Sequence, residues 1–499
     1  MSIDTPAKPT TDRMAAPDAR RVLIIGLSTG VVTEILLDRT LRAGEQPGLA
    51  FALAAVATGL VVALGVLPAE RLPSGSARLG AAVLAFFGLM VSLRASPVLA
   101  TVNLLVCLGA VLLIAHTYSG PSLGRLSLSG YLHAAFGGVG SAAGGAGPFL
   151  ANDLRPSMDR FARLVPVVRG LVLAVIPLMV FTVLFASADA VFADYLGSLE
   201  QLDFGSVVGR ITWAAVIGWA GLGLMRRAIK GPGTVPPLQG AVRVGVTDAA
   251  TALVLLNALF VVFVVVQFAY LFGGADTLAA THLTHAEYAR RGFFELVAVS
   301  VLVVLLVLSV DWLVKRESSA RKKIDRLHAV LLLLTGVILA SALQRMRLYT
   351  VEFGLTELRL YTTVFMFWIA TVLFWMGWTV LRNERERFTF GALATGLILL
   401  AATNLANPDA FIARTNLNHH IASGRELDTE YLVDDLSADA VPTLVGSLAK
   451  LDRCTSARLV AGLSERPGDE VGWLSLTWGE LRARTALDGT DAEIIPQDC

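Results

Sequence analysis

The sequence predicts an all-α protein: a polytopic helical membrane bundle with a small helical domain at its C-terminal end. The chain has 499 residues, of which 55% are hydrophobic and only 16% are charged, and such a composition is too apolar for an ordinary soluble fold. Apolar segments of bilayer-spanning length recur as far as Leu405. After Leu405, acidic residues outnumber basic ones and apolar residues are spaced as in short amphipathic helices.

The chain divides into three predicted regions. Residues 1–20 are polar and are predicted to be a disordered cytoplasmic N-terminus. Residues 21–405 are predicted to form the transmembrane bundle, with about 11 helices, ten or twelve being open alternatives. The candidate helices are 22–37, 49–67, 77–93, 97–115, 164–184, 207–225, 247–272, 293–314, 327–348, 361–380 and 388–405.

Basic residues orient this bundle. The uncharged run from Leu296 to Val310 is followed by a basic cluster formed by Lys315, Arg316, Arg321, Lys322, Lys323 and Arg326. Because basic residues beside a span resist translocation, this cluster predicts a cytoplasmic end. Lys and Arg are also far more frequent in the other loops that this topology places inside. The N-terminus is therefore predicted to be cytoplasmic and residues 406–499 extracytoplasmic.

A glycine-rich stretch, GGVGSAAGGAG (137–147), interrupts the loop between the fourth and fifth predicted spans. It lacks the Gly-Lys-Ser/Thr ending of a phosphate-binding loop, so its glycines do not indicate a nucleotide site. A flexible cytoplasmic linker is the favoured interpretation. A segment that enters the membrane and returns is the alternative.

The C-terminal region (residues 406–499) carries local helix signals. Asn407-Pro408, Asp428 and Ser437 are typical helix starts, and Gly424 is a typical stop. Its acidic residues are predicted to form a solvated helical face rather than an acid–base pair; they are Asp428, Glu430, Asp434, Asp435 and Asp439. Cys454 and Cys499 would be the only cysteines in the oxidising compartment, and they are predicted to form a disulfide that stabilises this small domain.

Charged residues gather on the predicted outer side of the bundle. Charges within a bilayer cost several kcal/mol unless they are paired or wetted, so such residues pair or line a cavity. One hypothesis is a mixed-charge pocket for a small ion or zwitterion. The favoured alternative is a set of interfacial salt bridges that fix loop geometry. The charged residues that either interpretation involves are Glu287, Arg290, Arg291, Glu295, Arg347, Glu352, Glu357 and Arg359.

Catalytic and cofactor signals are lacking in the sequence. It contains no GxSxG, HExxH or Walker motif, so an enzyme is not predicted and no cofactor or metal is expected. His282 and His285 have a spacing that metal ligands can use, but solvated loop histidines are the favoured interpretation. No basic and aromatic patch suited to nucleic acid is present.

Several stretches resemble a bacterial multi-pass membrane family, domain of unknown function 4173, which is related to family 4153. The resemblance is carried by AEYARRGFFEL (286–296), LFASADAVF (184–192), VVQFAYLFGG (265–274), FGLTELRLYTTVFMFW (353–368), ARTNL (413–417) and LDTEYLVDDLSADAVPTL (427–444). It covers most of the chain from Thr33 onward. The resemblance implies a helical membrane fold in a bacterial cell membrane and assigns no activity.

Two functions fit these features. The first is an envelope scaffold or signalling component that presents the C-terminal domain to another envelope protein. The alternative is a transporter or channel that uses the outer charged pocket. The lipid bilayer is the one partner that the composition itself indicates; the sequence does not predict an oligomeric state.

Overall fold

The structure is a computed structural model. It describes residues 14, 16–43, 47–65, 72–154, 204–231, 245–272, 293–313, 318–382, 384, 387–465 and 475–488. Within these ranges the regular structure is helical and contains no strand. The all-α prediction is confirmed.

Eleven long helices precede the C-terminal region in the described part of the chain. They are α1 (Ala16–Ala43), α2 (Leu49–Ala63), α3 (Gly75–Leu93), α4 (Pro97–Thr117), α5 (Leu128–Gly144), α6 (Phe204–Lys230), α7 (Val246–Phe272), α8 (Phe293–Leu313), α9 (Ser318–Phe353), α10 (Glu357–Leu381) and α11 (Phe388–Ala406). Short helical turns cover Leu123–Arg125, Ala146–Pro148 and Phe149–Leu154, the last with π-helical hydrogen bonding.

The C-terminal region is built from shorter helices. They are α12 (Pro408–Ser423), α13 (Val441–Val445), α14 (Arg453–Glu465) and α15 (Trp478–Leu487), with a π-helical turn at Tyr431–Asp435 and 3-10 turns at Ala438–Ala440 and Leu448–Lys450. The predicted helix signals are confirmed here: Asn407 caps α12 with its side chain, and Gly424 ends it with a positive φ of 65°.

Seven of the described helices are long and apolar enough to cross a membrane. They are Gly75–Leu93, Pro97–Thr117, Val207–Lys230, Val246–Gln267, Lys322–Phe353, Glu357–Val380 and Phe388–Ala406. Ten of the predicted segments coincide with described helices, and the segment 164–184 lies outside the described residues. The chain is therefore a multi-pass membrane protein, while the count of 11 spans stays a prediction. Because α1 begins at Ala16, the predicted disordered region 1–20 is too long at its C-terminal end.

Close glycine contacts join α1 to α6. A methyl group added at Gly30 would lie 2.3 Å from the backbone oxygen of Ala214 and 3.0 Å from the Cα of Gly218. Such close backbone approach is typical of small residues at helix contacts in membranes, where apolar side chains gain little by leaving lipid. The two helices are antiparallel, because Gly26 and Gly30 meet residues of α6 in reverse order.

Three apolar cores lie in the described part of the bundle. One joins α2, α3 and α4 around buried residues that include Leu84 and Ile114. A second joins α7, α8, α9 and α10 around Leu253 and Met366. The third joins α1 and α6 to the turns at 146–154, around Phe149.

The glycine-rich stretch is helical and packed, so the prediction of a flexible linker is wrong. Residues Leu128–Gly144 form α5, whose last turn contacts α6 tightly: an added Cβ at Gly145 would lie 2.8 Å from the Cα of Gly223. The indole nitrogen of Trp219 donates to the carbonyl of Ala143 (2.8 Å). Small residues allow the helices to approach this closely. Glycine-rich stretches are also typical of flexible linkers, and for this reason the sequence favoured a linker.

The stretch forms a hairpin that enters the bundle and returns to the end from which it came. Trp219 lies about 16 Å along α6 from Lys230, at 1.5 Å per residue, so Ala143 is deep in the bundle. Asp153, ten residues later, is back beside Lys230 (2.8 Å). We call residues 128–154 the re-entrant hairpin; it corresponds to the alternative interpretation of the sequence.

The helix ends define two ends of the bundle. At the end that we call the docking end, α2, α4 and α10 begin, and α3, α9 and α11 end. The C-terminal region packs there: its apolar core around Ile412, Leu432 and Leu444 also includes Leu355 from the turn between α9 and α10. The other end, where α4 and α6 end, is the far end.

Candidate functional site

The docking end binds the C-terminal region through buried polar contacts. The backbone N–H of Ala95 donates to Oδ2 of Asp439 (2.9 Å), and the guanidinium of Arg94 lies 3.8 Å from Oδ1 of the same carboxylate. Arg94 also donates to the carbonyl of Asn404 at the end of α11 (2.7 Å). One turn between α3 and α4 therefore holds both α11 and the C-terminal region.

A reciprocal amide pair lies just inside this end. Nδ2 of Asn103 donates to Oδ1 of Asn404 (2.8 Å), and Nδ2 of Asn404 donates back to Oδ1 of Asn103 (3.0 Å). Both side chains are fully buried. In an apolar bundle this mutual satisfaction fixes the register of α4 against α11.

The turn between α9 and α10 is bound to the C-terminal region by its backbone. Asn416 accepts from the N–H of Leu355 and donates to its carbonyl, both at 2.8 Å. The N–H of Glu357, at the start of α10, donates to the hydroxyl of Tyr431 (2.8 Å). Gly354 has a positive φ of 76°, which favours glycine at this sharp turn.

At the centre of the interface lies a pair of carboxyl groups, Glu357 and Asp409. Asp409 is fully buried in the first turn of α12. Its Oδ2 accepts from the N–H (3.2 Å) and the hydroxyl of Ser437, whereas its buried Oδ1 has no conventional donor. Glu357, at the start of α10, is half-buried near this carboxyl group.

Electrostatics around this pair are strongly acidic. Burial raises the pKa of Asp439 to about 6 and the nearby Asp409 adds to this, although the Ala95 N–H and Arg94 oppose the shift. Burial and the neighbouring carboxyl groups also raise the pKa of Tyr431 to about 12. The interface thus disfavours additional negative charge.

The predicted outer charged residues are distributed over several contacts. Glu352 forms an exposed ion pair with Arg425 of the C-terminal region (3.3 Å). Arg359 donates to the carbonyl of Phe353 (2.9 Å) and stacks over the ring of Tyr349 (4.2 Å).

The remaining predicted residues do not meet this group in the described structure. Glu295 and Arg347 are exposed on α8 and α9. Glu287, Arg290 and Arg291 lie outside the described residues, as do His282 and His285. The mixed-charge pocket therefore stays a prediction. Glu352 and the backbone of Glu357 contact the C-terminal region, whereas Arg359 binds within the turn between α9 and α10.

One prediction for the C-terminal acids is wrong. Asp439 is only 6% exposed and accepts a backbone hydrogen bond, so it does not belong to a solvated face. The other four acids, Asp428, Glu430, Asp434 and Asp435, are exposed.

Cys107 is a free, buried cysteine in α4. Cys454 is disulfide-bonded, but Cys499 lies outside the described residues, and the Cys454–Cys499 pair stays a prediction.

A second polar cluster holds the re-entrant hairpin at the far end. The carboxylate of Asp153, whose side chain is fully buried, pairs with Arg226 (2.9 Å) and Lys230 (2.8 Å) of α6. Arg227 holds the incoming limb by donating to the carbonyl of Gly137 (3.1 Å), and it also contacts Nδ1 of His116 (3.1 Å). Consecutive arginines thus bind the two limbs.

Sequence reasoning missed several of these residues. Asp409 follows a correctly identified helix start, but its burial depends on α10 and on Ser437, which are distant in sequence. Arg94 and Asp153 belong to short polar turns whose partners lie far along the chain. Among the described residues, no group of three His, Cys, Asp or Glu is placed to hold a metal ion.

Comparison with known proteins gives one result. The family model described as domain of unknown function (DUF4153) matches residues 81–446, more than half of the chain. The related family 4173, which the sequence motifs suggested first, is not shown. Neither a curated protein nor a solved structure gave a match. The matched range includes most of α3, the rest of the bundle and most of the docking interface. The chain therefore belongs to the DUF4153 family of proteins.

Proposed function

We propose that this protein is an envelope scaffold or signalling component of a bacterial cell membrane, which presents its C-terminal region outside the cytoplasm. The observation that carries the proposal is the docking interface. The core of the C-terminal region incorporates Leu355 of the bundle, and backbone contacts at Ala95 and Glu357 join the two parts. A region fixed in this way offers a partner a rigid surface.

The distribution of basic residues supports the proposed orientation. Arg226, Arg227 and Lys230 lie at the far end, and Lys322 and Lys323 lie there at the start of α9. Because basic residues mark cytoplasmic ends, the far end is cytoplasmic and the docking end is outside.

The surface of the C-terminal region contains a groove suited to contact with a polar partner. It is lined by Glu430, Asp434 and Glu465 with Arg458, beside the apolar Val433. Photocrosslinking from a benzoylphenylalanine at Asp434 in living cells tests the proposal. The expected result is a discrete protein adduct, which the lipid-facing position Leu105 on α4, 63% exposed, should not give. Equal behaviour at both positions would refute presentation of a partner surface.

A transporter or channel is the second candidate, and the re-entrant hairpin favours it. Backbone that turns within a membrane is tolerated where protein or a water-filled cavity surrounds it, and such segments line pathways in transporters. The hairpin tip is packed against α6 at Gly145 and Gly223. Flux of ions into proteoliposomes that depends on Gly145 would support transport over the scaffold.

A further inference from the structure

We propose that α15 carries a lipid-contact face that lies in the headgroup layer of the bilayer beside the docking end. The face, which we call the α15 stripe, consists of Trp478, Leu481, Arg482 and Thr485. All four residues are exposed, and their spacing places them on one side of the helix. This inference goes beyond the proposed function, because contact with lipid requires no protein partner.

The bundle fixes the place at which α15 begins. A Cβ added at Gly48, one residue before α2 starts, would lie 2.3 Å from the carbonyl oxygen of Ser475. A Cβ added at Gly479 would lie 3.0 Å from the Cβ of Ala95, two residues before α4 starts. The chain therefore enters α15 in contact with the docking ends of two bundle helices.

These helix ends lie at the border of the hydrocarbon layer. Helix α4 has 21 residues and is about 31 Å long at 1.5 Å per residue, which matches the roughly 30 Å thickness of that layer. Ala95, just beyond this helix, is then at the headgroup level. Through the contact at Gly479, the Cα of Trp478 lies within about 10 Å of the Cα of Ala95. Because the headgroup region is about 5–7 Å deep on each side, the stripe begins in this region or directly above it.

The composition of the stripe suits this layer. Trp478 is 54% exposed and Leu481 is 41% exposed, so the protein leaves both apolar side chains uncovered. Trp is enriched at membrane–water interfaces, because its ring is apolar while its N–H donates to polar groups. The exposed Arg482 adds a positive charge that complements lipid phosphates.

The acidic residue nearest to the stripe is held on the other side of the helix. Glu480 accepts through Oε2 from the N–H (2.7 Å) and the hydroxyl (3.0 Å) of Thr477, which completes a capping box. Gly479 and Ala483 are buried against the rest of the protein. These contacts fix the rotation of α15 about its axis, so the stripe presents its uncharged and positive side chains outward.

Apolar surface continues from the bundle onto the C-terminal region at a second place. Leu405, in the last turn of α11, and Phe411, in the first turn of α12, are both exposed. Only the turn at Asn407 separates the two helices. Helix α11 is long and apolar enough to cross the membrane, so the lipid that surrounds its end also reaches Phe411. The bilayer is thus the occupant that both places share.

Quenching by lipid tests the proposal on the full-length protein in phosphatidylcholine vesicles. Leu481→Cys is labelled with a nitrobenzoxadiazole fluorophore, and the vesicles contain increasing fractions of a lipid with a nitroxide on its acyl chain near the headgroup. We expect emission that is shifted to the blue and that falls as the nitroxide lipid increases. Labelling of the original protein gives the background from its own cysteines.

Lys450→Cys is the matched control. Lys450 is exposed, and the turn Leu448–Lys450 makes its hydrogen bonds within the C-terminal region. Its fluorophore should emit as in water and should not respond to the nitroxide lipid.

Absence of quenching at Leu481→Cys, or equal quenching at both positions, would overturn the proposal. A blue-shifted emission that the nitroxide lipid does not quench would assign the stripe to a protein contact instead. If Leu481→Cys fails to fold, Trp478→Cys provides the same test from the same stripe. These readouts do not depend on which side of the membrane the region occupies or on a protein partner, so they fail separately from the proposed function.

Discussion

Replacing Asp153 by Asn should destabilise the protein by releasing the return limb of the re-entrant hairpin. The side chain of Asp153 is completely buried and accepts from Arg226, from Lys230 and from the backbone N–H of Met14 (3.0 Å). Asn has nearly the same volume, so packing is kept while the negative charge is lost. Arg226 and Lys230 would then lie close together without the negative charge of Asp153.

The expected size follows from burial. Removing one partner of a fully buried ion pair costs about 3–5 kcal/mol. The side chains of Arg226 and Lys230 remain 22% and 14% exposed, so water partly compensates them and we expect about 2–3 kcal/mol. The measurement is thermal unfolding of the detergent-solubilised protein. Asp248→Asn, which changes an exposed aspartate at the start of α7, is the matched control and should unfold as the original protein does.

The same residue predicts a pH dependence. Burial alone would favour the neutral acid, but hydrogen bonds from Lys230, Met14 and Arg226 outweigh it and hold the pKa of Asp153 below its ordinary value. A lowered pKa in the folded state means that the stabilisation is complete above the ordinary value of 3.8 and is lost as pH falls through the lower folded value. The stability difference between the original protein and Asp153→Asn should therefore shrink in acid. A variant as stable as the original at neutral pH, or a difference that grows in acid, would refute the ion-pair reasoning.

Three further predictions concern packing inside the bundle, each checked by thermal unfolding. Gly30→Ala should cost about 1–3 kcal/mol because its methyl group would meet the backbone of α6 at 2.3 Å, whereas Gly109→Ala, which has open space, should not destabilise. Asn103→Leu should cost about 1–2 kcal/mol because the buried Oδ1 of Asn404 would lose its donor, although Nδ2 of Asn404 still donates to the carbonyl of Leu400 (2.9 Å); replacing both by Leu should recover most of the loss. His328→Leu should be neutral or stabilising, because both nitrogens of this buried ring lack a partner among the described residues; a clear loss of stability would show that they are bound.

Local sequence patterns were sufficient for much of the fold. Apolar runs such as 97–115 and 388–405 end within two residues of the described helices Pro97–Thr117 and Phe388–Ala406, because burial in lipid and helix formation depend on the same residues. The start of α12 predicted at Asn407-Pro408 and the end predicted at Gly424 are both correct, because helix capping and a positive φ depend on only one or two residues.

Features that depend on distant contacts could not be predicted in the same way. The glycines at 137–147 are equally typical of a linker, and only their contacts with α6 distinguish the two interpretations. Asp439 has the same local surroundings as the exposed Asp434 and Asp435, yet it is buried because the turn at Ala95 offers it an N–H. Glu357 was predicted to belong to an outer charged pocket, but the hydroxyl that its N–H contacts, that of Tyr431, lies in a different predicted region.

The central claim is that the C-terminal region is docked on the outer end of the bundle, and cysteine labelling of intact cells tests it most directly. Glu426→Cys places a thiol in an exposed turn of the C-terminal region, and Lys322→Cys places one in the exposed start of α9 at the far end. A membrane-impermeant maleimide should label Glu426→Cys in intact cells and Lys322→Cys only after the membrane is opened. Labelling of Lys322→Cys in intact cells, with Glu426→Cys protected until the membrane is opened, would contradict the account.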